Sequence, residues 1–228
     1  MSLKVLLVNP NTSEGTTRAM AATARAEFPV VGESAIDLHA LTVAKGPTML
    51  VDEHSLLRAA DETVSAVVRR LASDPGIDGV IVAAFGDPGV DELRSRSAVP
   101  VVGIGESAIR QAARSGPFSI ATTTPLLEGS IRARVERLGA EPELVSIVIT
   151  PGDPLALAAD PEHQTAALGR AVARCVADGA RSVVIGGGPL ADSADDLSRN
   201  YGVAIINPVR AACRQLVLQY PSLPTAAD

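Results

Sequence analysis

At 228 residues and 23.4 kDa, 46% hydrophobic but 2% aromatic and without Trp, the chain is long enough for one domain or two small ones built around Ala, Val, Leu and Ile. Its net charge of −6 and pI near 5.1 exclude a nucleic-acid partner held by phosphate neutralisation, since no basic run with interleaved aromatics offsets them. The apolar runs, such as Val80 to Phe85, are far shorter than the roughly 20 residues of a membrane span.

The first apolar run, Lys4–Val8, reads as a strand with no charged leader and cleavage site before it, which points to the cytoplasm. An amphipathic helix over Thr12–Glu27 follows, then a strand at Ser34–Leu38 and a helix at Val51–Ser73. The alternation continues with strand Gly79–Ala83, helix Pro88–Arg96, strand Val99–Gly103 and helix Ser107–Arg114. After Gly116-Pro117 come strand Phe118–Ala121, helix Pro125–Leu138, strand Leu144–Val148 and helix Pro161–Asp178. Strand Ser182–Gly186, helix Leu190–Arg199, strand Val203–Ile206 and helix Pro208–Gln219 complete the order. Continuous β-branched runs alternating with amphipathic stretches predict an α/β fold with mostly parallel sheets and right-handed crossovers. Cys175 and Cys213 fall within helical patterns and read as small buried hydrophobes rather than a disulfide.

The chain also repeats itself. Gly79-Val-Ile-Val-Ala-Ala-Phe-Gly-Asp-Pro88 and Ser182-Val-Val-Ile-Gly-Gly-Gly-Pro-Leu-Ala191 are each a β-branched run breaking into small residues before a helix. Val99-Pro-Val-Val-Gly-Ile precedes Ala108-Ile-Arg-Gln much as Val203-Ala-Ile-Ile precedes Ala212-Cys-Arg-Gln, and the strand at Lys4 pairs in pattern with that at Phe118. The repeat predicts two pseudo-symmetric lobes, 1–100 plus 207–220 and 101–206, with a ligand cleft between them. Four loops at strand ends converge there: Asn9–Ser13, Ala84–Gly89, Thr122–Pro125 and Gly186–Pro189.

Asn9-Pro10-Asn11-Thr12-Ser13 follows a strand and opens a helix, so it reads either as a turn with an N-cap or as a polar cradle for an anionic or carbonyl-rich ligand at a helix N-terminus. Thr122-Thr123-Thr124-Pro125 at the matching point of the second lobe favours the cradle. Phe85, Gly86, Gly187 and Gly188 complete the candidate binding set, the glycines letting a ligand approach the backbone.

Asn9-Pro-Asn-Thr-Ser, Gly46-Pro47, Phe85-Gly-Asp-Pro-Gly89, Pro100-Val-Val-Gly-Ile-Gly-Glu-Ser-Ala108 and Asn207-Pro-Val209 with Ala211-Ala-Cys-Arg214 resemble the aspartate/glutamate/hydantoin racemase superfamily, nearest its hydantoin and allantoin racemases. The resemblance covers nearly the whole chain in order. It implies that two thiols, one per lobe, flank the substrate α-carbon, one removing a proton and the other delivering one to the opposite face, with no cofactor. The positions that correspond to those thiols are Ala84 and Gly187. A methyl group and a hydrogen transfer no proton, and losing one such acid/base group costs about two to four orders of magnitude in rate.

Two carboxylates remain near the cleft. Asp87 reads as a cap for the helix beginning at Pro88 or as a catalytic group, and Glu106 as a general base or as a complement to its helix dipole. His39, His54 and His163 form no metal-ligand spacing, although His54 comes into range if the Gly46-Pro47 loop folds over the cleft. Val183-Val-Ile-Gly-Gly-Gly looks like a dinucleotide turn but is not followed by the whole βαβ unit with an acidic residue that such a site needs, and Gly103-Ile-Gly-Glu-Ser-Ala lacks the third glycine. The sequence therefore reads as a racemase-family protein acting on a small carboxylate, hydantoin or ureide without the two-thiol mechanism, cofactor or metal. The alternative is a non-catalytic binder on the same fold. A small-molecule ligand is the expected partner, with no nucleic acid or membrane, and homo-oligomerisation is left open.

Overall fold

Runs such as Val5-Leu-Leu-Val8 and Ser182-Val-Val-Ile185 are apolar on both sides of the chain, which only a sheet covered on both faces can bury. The computed structural model, which describes residues 2–31 and 36–220, places them in two four-stranded parallel sheets flanked by helices. The first half comprises β1 (Leu3–Asn9), α1 (Glu14–Val31), β2 (Ile36–Thr42), α2 (Glu53–Ser73), β3 (Gly79–Val82), α3 (Val90–Arg96), β4 (Val101–Gly103) and α4 (Ile104–Arg114). The second comprises β5 (Phe118–Thr122), α5 (Glu128–Arg137), β6 (Leu144–Ile149), α6 (Pro154–Ala158), α7 (Pro161–Ala177), β7 (Ser182–Ile185), α8 (Ala191–Ser198), β8 (Ala204–Ile206) and α9 (Pro208–Val217). Strand orders β2-β1-β3-β4 and β6-β5-β7-β8 are the same order shifted by four, the spatial form of the sequence repeat.

Several boundaries differ from the sequence expectation. Val101 and Val102 of β4 pair with Val80 and Ile81 of β3, so the first sheet runs past the division expected at 100/101 and ends at Gly103. The second strand runs to Thr42, past the Leu38 expected as its end; Ser34 and Ala35, its expected start, lie outside the described residues. Helix α4 starts three residues early, at Ile104, because a distant side chain caps it, as shown below. Pro125–Leu127 forms a 3₁₀ turn ahead of α5, and α6 is an added short helix with Asp153 as its cap and Pro154 in its first turn.

The lobes interlock through their last helices. From α4, Ala108, Ile109 and Ala112 pack with Phe118, Ile120 and Val184 of the second lobe. From α9, Val209, Ala212, Cys213 and Leu216 pack with Leu7, Met20 and Ile81 of the first. Beside this exchange, Glu27 of α1 is 2% exposed and accepts from Arg210 Nη1 (2.8 Å) and Arg214 Nε (2.6 Å) of α9. Arg210 also donates through Nη2 to Asp195 of α8 at 2.6 Å.

Removing Glu27 strips two guanidiniums of a buried acceptor. Because both arginines remain partly solvated, Glu27→Ala is expected to lower the unfolding free energy by about 1–3 kcal/mol, less than the loss from a fully buried pair. An unchanged urea midpoint and slope would show the network to be energetically inert.

Candidate active site

The carboxyl ends of β1, β3, β5 and β7 face one another, and their loops enclose a pocket with an empty volume of about 530 Å³, mouth included. The first lobe supplies Asn11 and the run Ala83–Gly86; the second supplies Thr123, Thr124 and the run Gly186–Gly188. Ala84 and Gly187 thus line the same pocket from opposite lobes, as their places in the repeat require. Apolar residues close it: Met49 and Leu50 from the loop ahead of α2, Leu56 from α2, and Leu127, Pro189 and Leu190 from the second lobe.

The sequence candidates divide. Asn11, Phe85, Gly86, Thr123, Gly187 and Gly188 line the pocket, whereas Asn9, Pro10, Thr12 and Thr122 do not. Asn9 is fully buried and donates through Nδ2 to Asn11 Oδ1 (2.9 Å), Thr17 Oγ1 (3.0 Å) and the Ser13 carbonyl (3.1 Å). It builds the turn. Pro10 is buried as well, and the Thr12 amide donates to the Pro47 carbonyl at 3.1 Å, which ties down the loop carrying Met49 and Leu50. Thr122 donates through Oγ1 to the Gly186 carbonyl at 2.8 Å and so fixes the glycine run. The glycines also serve packing between lobes: a Cβ on Gly188 would lie 2.6 Å from Met20 Sδ and 3.0 Å from the Ala83 carbonyl oxygen. The amides of Gly186 and Gly187 are already bonded, to the Ala121 and Ile185 carbonyls.

Neither carboxylate candidate reaches the pocket. Asp87 does not cap the helix that follows it; α3 has Gly89 as its cap residue, with φ 81° and no side-chain bond. Asp87 instead accepts the first amides of α4, from Gly105 N at 2.8 Å and Glu106 N at 2.7 Å. It turns back to do so with φ 48°, a left-handed backbone. The seat exists because positions 103 and 105 are glycine: a Cβ on Gly103 would lie 2.2 Å from Asp87 Oδ1, and one on Gly105 1.9 Å from the Phe85 carbonyl oxygen. Burial pushes the Asp87 carboxyl up to about 7, against the pull of Arg134 and the two amides. Glu106 is buried and bound by Arg94, whose Nη1 donates at 3.1 Å and whose Nη2 makes a second, shorter bond, and it accepts from the Gly103 amide at 3.4 Å. It lines an outer groove with Arg110 and Arg114 and does not line the pocket, where the sequence reading expects a base.

The thiols are no nearer to acting. Cys175 and Cys213 are both buried in helices, and burial pushes the Cys175 thiol up to about 11 and that of Cys213 higher still. His54 is exposed and His39 pairs with Asp37 at 2.8 Å; neither lines the pocket. Among the described residues no group of His, Cys, Asp and Glu is placed to hold a metal, and no helix is long and apolar enough to cross a membrane. The apolar lining Met49, Leu50, Leu56 and Leu127 escaped the sequence reading; its one signal is the pair of large apolar residues in the loop just after Gly46-Pro47.

Two repeated α/β lobes closed around a pocket at their facing strand ends place the chain among racemase-like enzymes. More narrowly, it belongs to the Asp/Glu/hydantoin racemase family, whose model matches residues 5–216. A hydantoin racemase of Paenarthrobacter aurescens is 31% identical over 214 residues, 93% of this chain and 89% of that protein. A solved allantoin racemase from Klebsiella pneumoniae superposes with a TM-score of 0.87 at 27% identity, over 98% of this chain and 90% of the other. A mutant arylmalonate decarboxylase shares the fold at a TM-score of 0.64 and 14% identity, over 99% of this chain and 96% of its own.

A carboxyl raised by burial holds its proton in the folded state at pH values where the unfolded chain has lost it. Its stabilising contribution is therefore complete below the unfolded pKa near 3.8 and declines as pH rises to about 7. Asp87→Asn cannot ionise, so its stability relative to wild type is expected to improve across that window, by at most about 1.4 kcal/mol per pH unit, and to level off above it. Urea unfolding of both proteins at several pH values tests this; a constant difference would mean that Asp87 is ionised throughout.

Proposed function

We propose that the protein is a racemase for neutral five-membered cyclic ureides of the hydantoin class, working without a thiol pair in the cytoplasm. The observation that carries this reading is the lining of the pocket, which combines one amide, two hydroxyls, glycine backbone and apolar walls and includes no charged side chain. A glutamate or aspartate zwitterion would have to bury charges with no counter-charge, at a cost of several kcal/mol each. A hydantoin ring asks for hydrogen bonds only. Asn11 Oδ1 is occupied by Asn9 Nδ2 and the Ser13 amide, each at 2.9 Å, which leaves Asn11 Nδ2 as the end available to a ring oxygen. The hydroxyl of Thr123 supplies a further donor, whereas that of Thr124 is engaged with Thr122 Oγ1 at 3.2 Å. The hydantoin and allantoin racemases among the relatives support the same substrate class.

In such a ring the C5 proton sits beside a carbonyl. Its loss to a solvent base moves the electron pair onto the carbonyl oxygen, and return of a proton to either face of the enolate gives either enantiomer with no net change in atoms. The pocket contributes by holding the ring and by placing donors where the negative charge develops. Incubating one enantiomer of 5-benzylhydantoin in deuterated buffer is expected to show loss of ellipticity and of the C5 proton signal faster than in buffer alone, in proportion to protein. The same rate is expected from Cys175→Ala and Cys213→Ala. A rate equal to that of buffer, or equal exchange of L-glutamate, would overturn the reading.

Ala84 and Gly187, the positions that the resemblance assigns to the two thiols, offer a second test. Ala84→Cys combined with Gly187→Cys is expected to raise the rate by about 100-fold or more, the usual contribution of a placed acid/base group. At 187 the new Cβ would stand 3.0 Å from Leu190 Cγ and Cδ1, a flexible side chain that yields a few tenths of an ångström. A folded double variant with no gain would show that these positions do not flank the reacting carbon.

A further inference from the structure

Arg134 of α5 belongs to the second lobe but spends its hydrogen bonds on the first. Its Nη2 donates to the Gly86 carbonyl at 2.6 Å, and its Nη1 lies 3.4 Å from Asp87 Oδ2. The side chain is 13% exposed and that of Asp87 not at all. Two other polar contacts also bridge α5 to the first lobe, Ser130 Oγ to Glu53 Oε1 at 3.0 Å and Arg137 Nη1 to Asp91 Oδ2 at 3.1 Å. Both are exposed, and neither touches a residue of the pocket wall. The wall segment Ala84–Gly86 is held from behind by β3 and from below by the N-terminus of α4, through Asp87. β3 acts from the segment's own sheet and α4 follows the first lobe's last strand, though it packs on the second lobe, whereas Arg134 reaches the wall directly from a helix of the second lobe.

We propose that Arg134 is a positioning residue: by gripping the Gly86 carbonyl and the Asp87 carboxylate, it holds the Ala84–Gly86 wall against the Gly186–Gly188 wall and couples docking of the lobes to the shape of the pocket. The inference rests on the reading of that pocket as the site of hydantoin turnover. Three charged groups face Asp87: Arg134 from α5, Glu106 from α4 and Arg94 from α3. Arg94 is engaged by Glu106, so Arg134 is the cation that favours ionised Asp87. The grip is consequently strongest when Asp87 is charged and relaxes as it takes up a proton near neutrality.

The test uses Arg134→Gln and Arg134→Lys in the full chain with 5-benzylhydantoin. Arg134→Gln is expected to lower kcat about 10- to 100-fold with a smaller change in KM, since a displaced wall harms the reacting geometry more than ground-state binding. Removing the cation raises the Asp87 pKa, so the midpoint of the kcat–pH profile should move upward in Arg134→Gln and return toward wild type in Arg134→Lys. A loss of melting temperature with kcat and midpoint unchanged would reduce Arg134 to a structural tie and overturn the proposal. If Arg134→Gln does not fold, Arg134→Met takes its place, with the same loss of kcat and upward midpoint shift expected and the same unchanged values overturning the proposal. If wild type shows no turnover at all, the substrate reading fails independently, and amide hydrogen exchange in the free protein decides this one. Faster exchange at Gly105 and Glu106 and across Ala84–Gly86 in the variants supports the grip; wild-type rates there refute it.

Discussion

The two oxygens of Asp87 accept from the amides of Gly105 and Glu106 in the first turn of α4, and most of the architecture around the pocket depends on that seat. A helix N-terminus buried between lobes must have its amides satisfied, and each buried donor left unpaired costs about 1–3 kcal/mol. Because the cap comes from the loop after β3, not from the residue before the helix, satisfying α4 also fixes the backbone of Ala84, Phe85 and Gly86. One wall of the pocket and the helix exchanged into the second lobe are thereby set by a single side chain. The glycines at 103 and 105 are the complement of this arrangement, since any side chain there would occupy the space of the carboxylate or of the Phe85 carbonyl.

The second lobe solves the same problem locally. In the register that pairs Ala108 with Ala212, Gly103 corresponds to Asn207, which caps its own helix by accepting from the amides of Val209 (3.0 Å) and Arg210 (3.3 Å). Those amides are the repeat counterparts of Gly105 and Glu106. Asp87 therefore occupies in the first lobe the place that the Asn207 side chain occupies in the second. The ion pairs beside the two edge strands have diverged similarly: Arg94 of α3 holds Glu106 of α4, while Asp195 of α8 holds Arg210 of α9, the same bridge with its signs reversed. A duplicated scaffold has kept its interactions while exchanging the residues that make them.

The fold was legible because β-branched runs and amphipathic stretches alternate without ambiguity, and the strand-end loops could be placed because the repeat doubles each of them. What stayed hidden was interaction at a distance. Asp87 lies directly before Pro88, so a local reading gives it the following helix, yet its partners sit 18 and 19 residues on. Glu106 looked available because its neutralising Arg94 is on another helix. Gly103-Ile-Gly105 and Gly186–Gly188 invited ligand explanations when sterics between elements account for much of their composition. The polarity of Asn9 and Thr122 reads as ligand binding, but both use their side chains to build the turns that present Asn11, Thr123 and the glycine run.

The placement of sulfur has one more consequence. Enzymes whose nucleophile or base is a thiolate are silenced when oxidants convert it to sulfenic or sulfinic acid, and susceptibility follows exposure and thiolate character. Here the two cysteines are fully buried, with thiols that burial holds protonated, and neither lines the pocket. Peroxide and disulfide exchange thus find no cysteine thiol in the pocket lining, and the sulfur that does line it is the Met49 thioether, whose oxidation to the sulfoxide would turn an apolar wall polar.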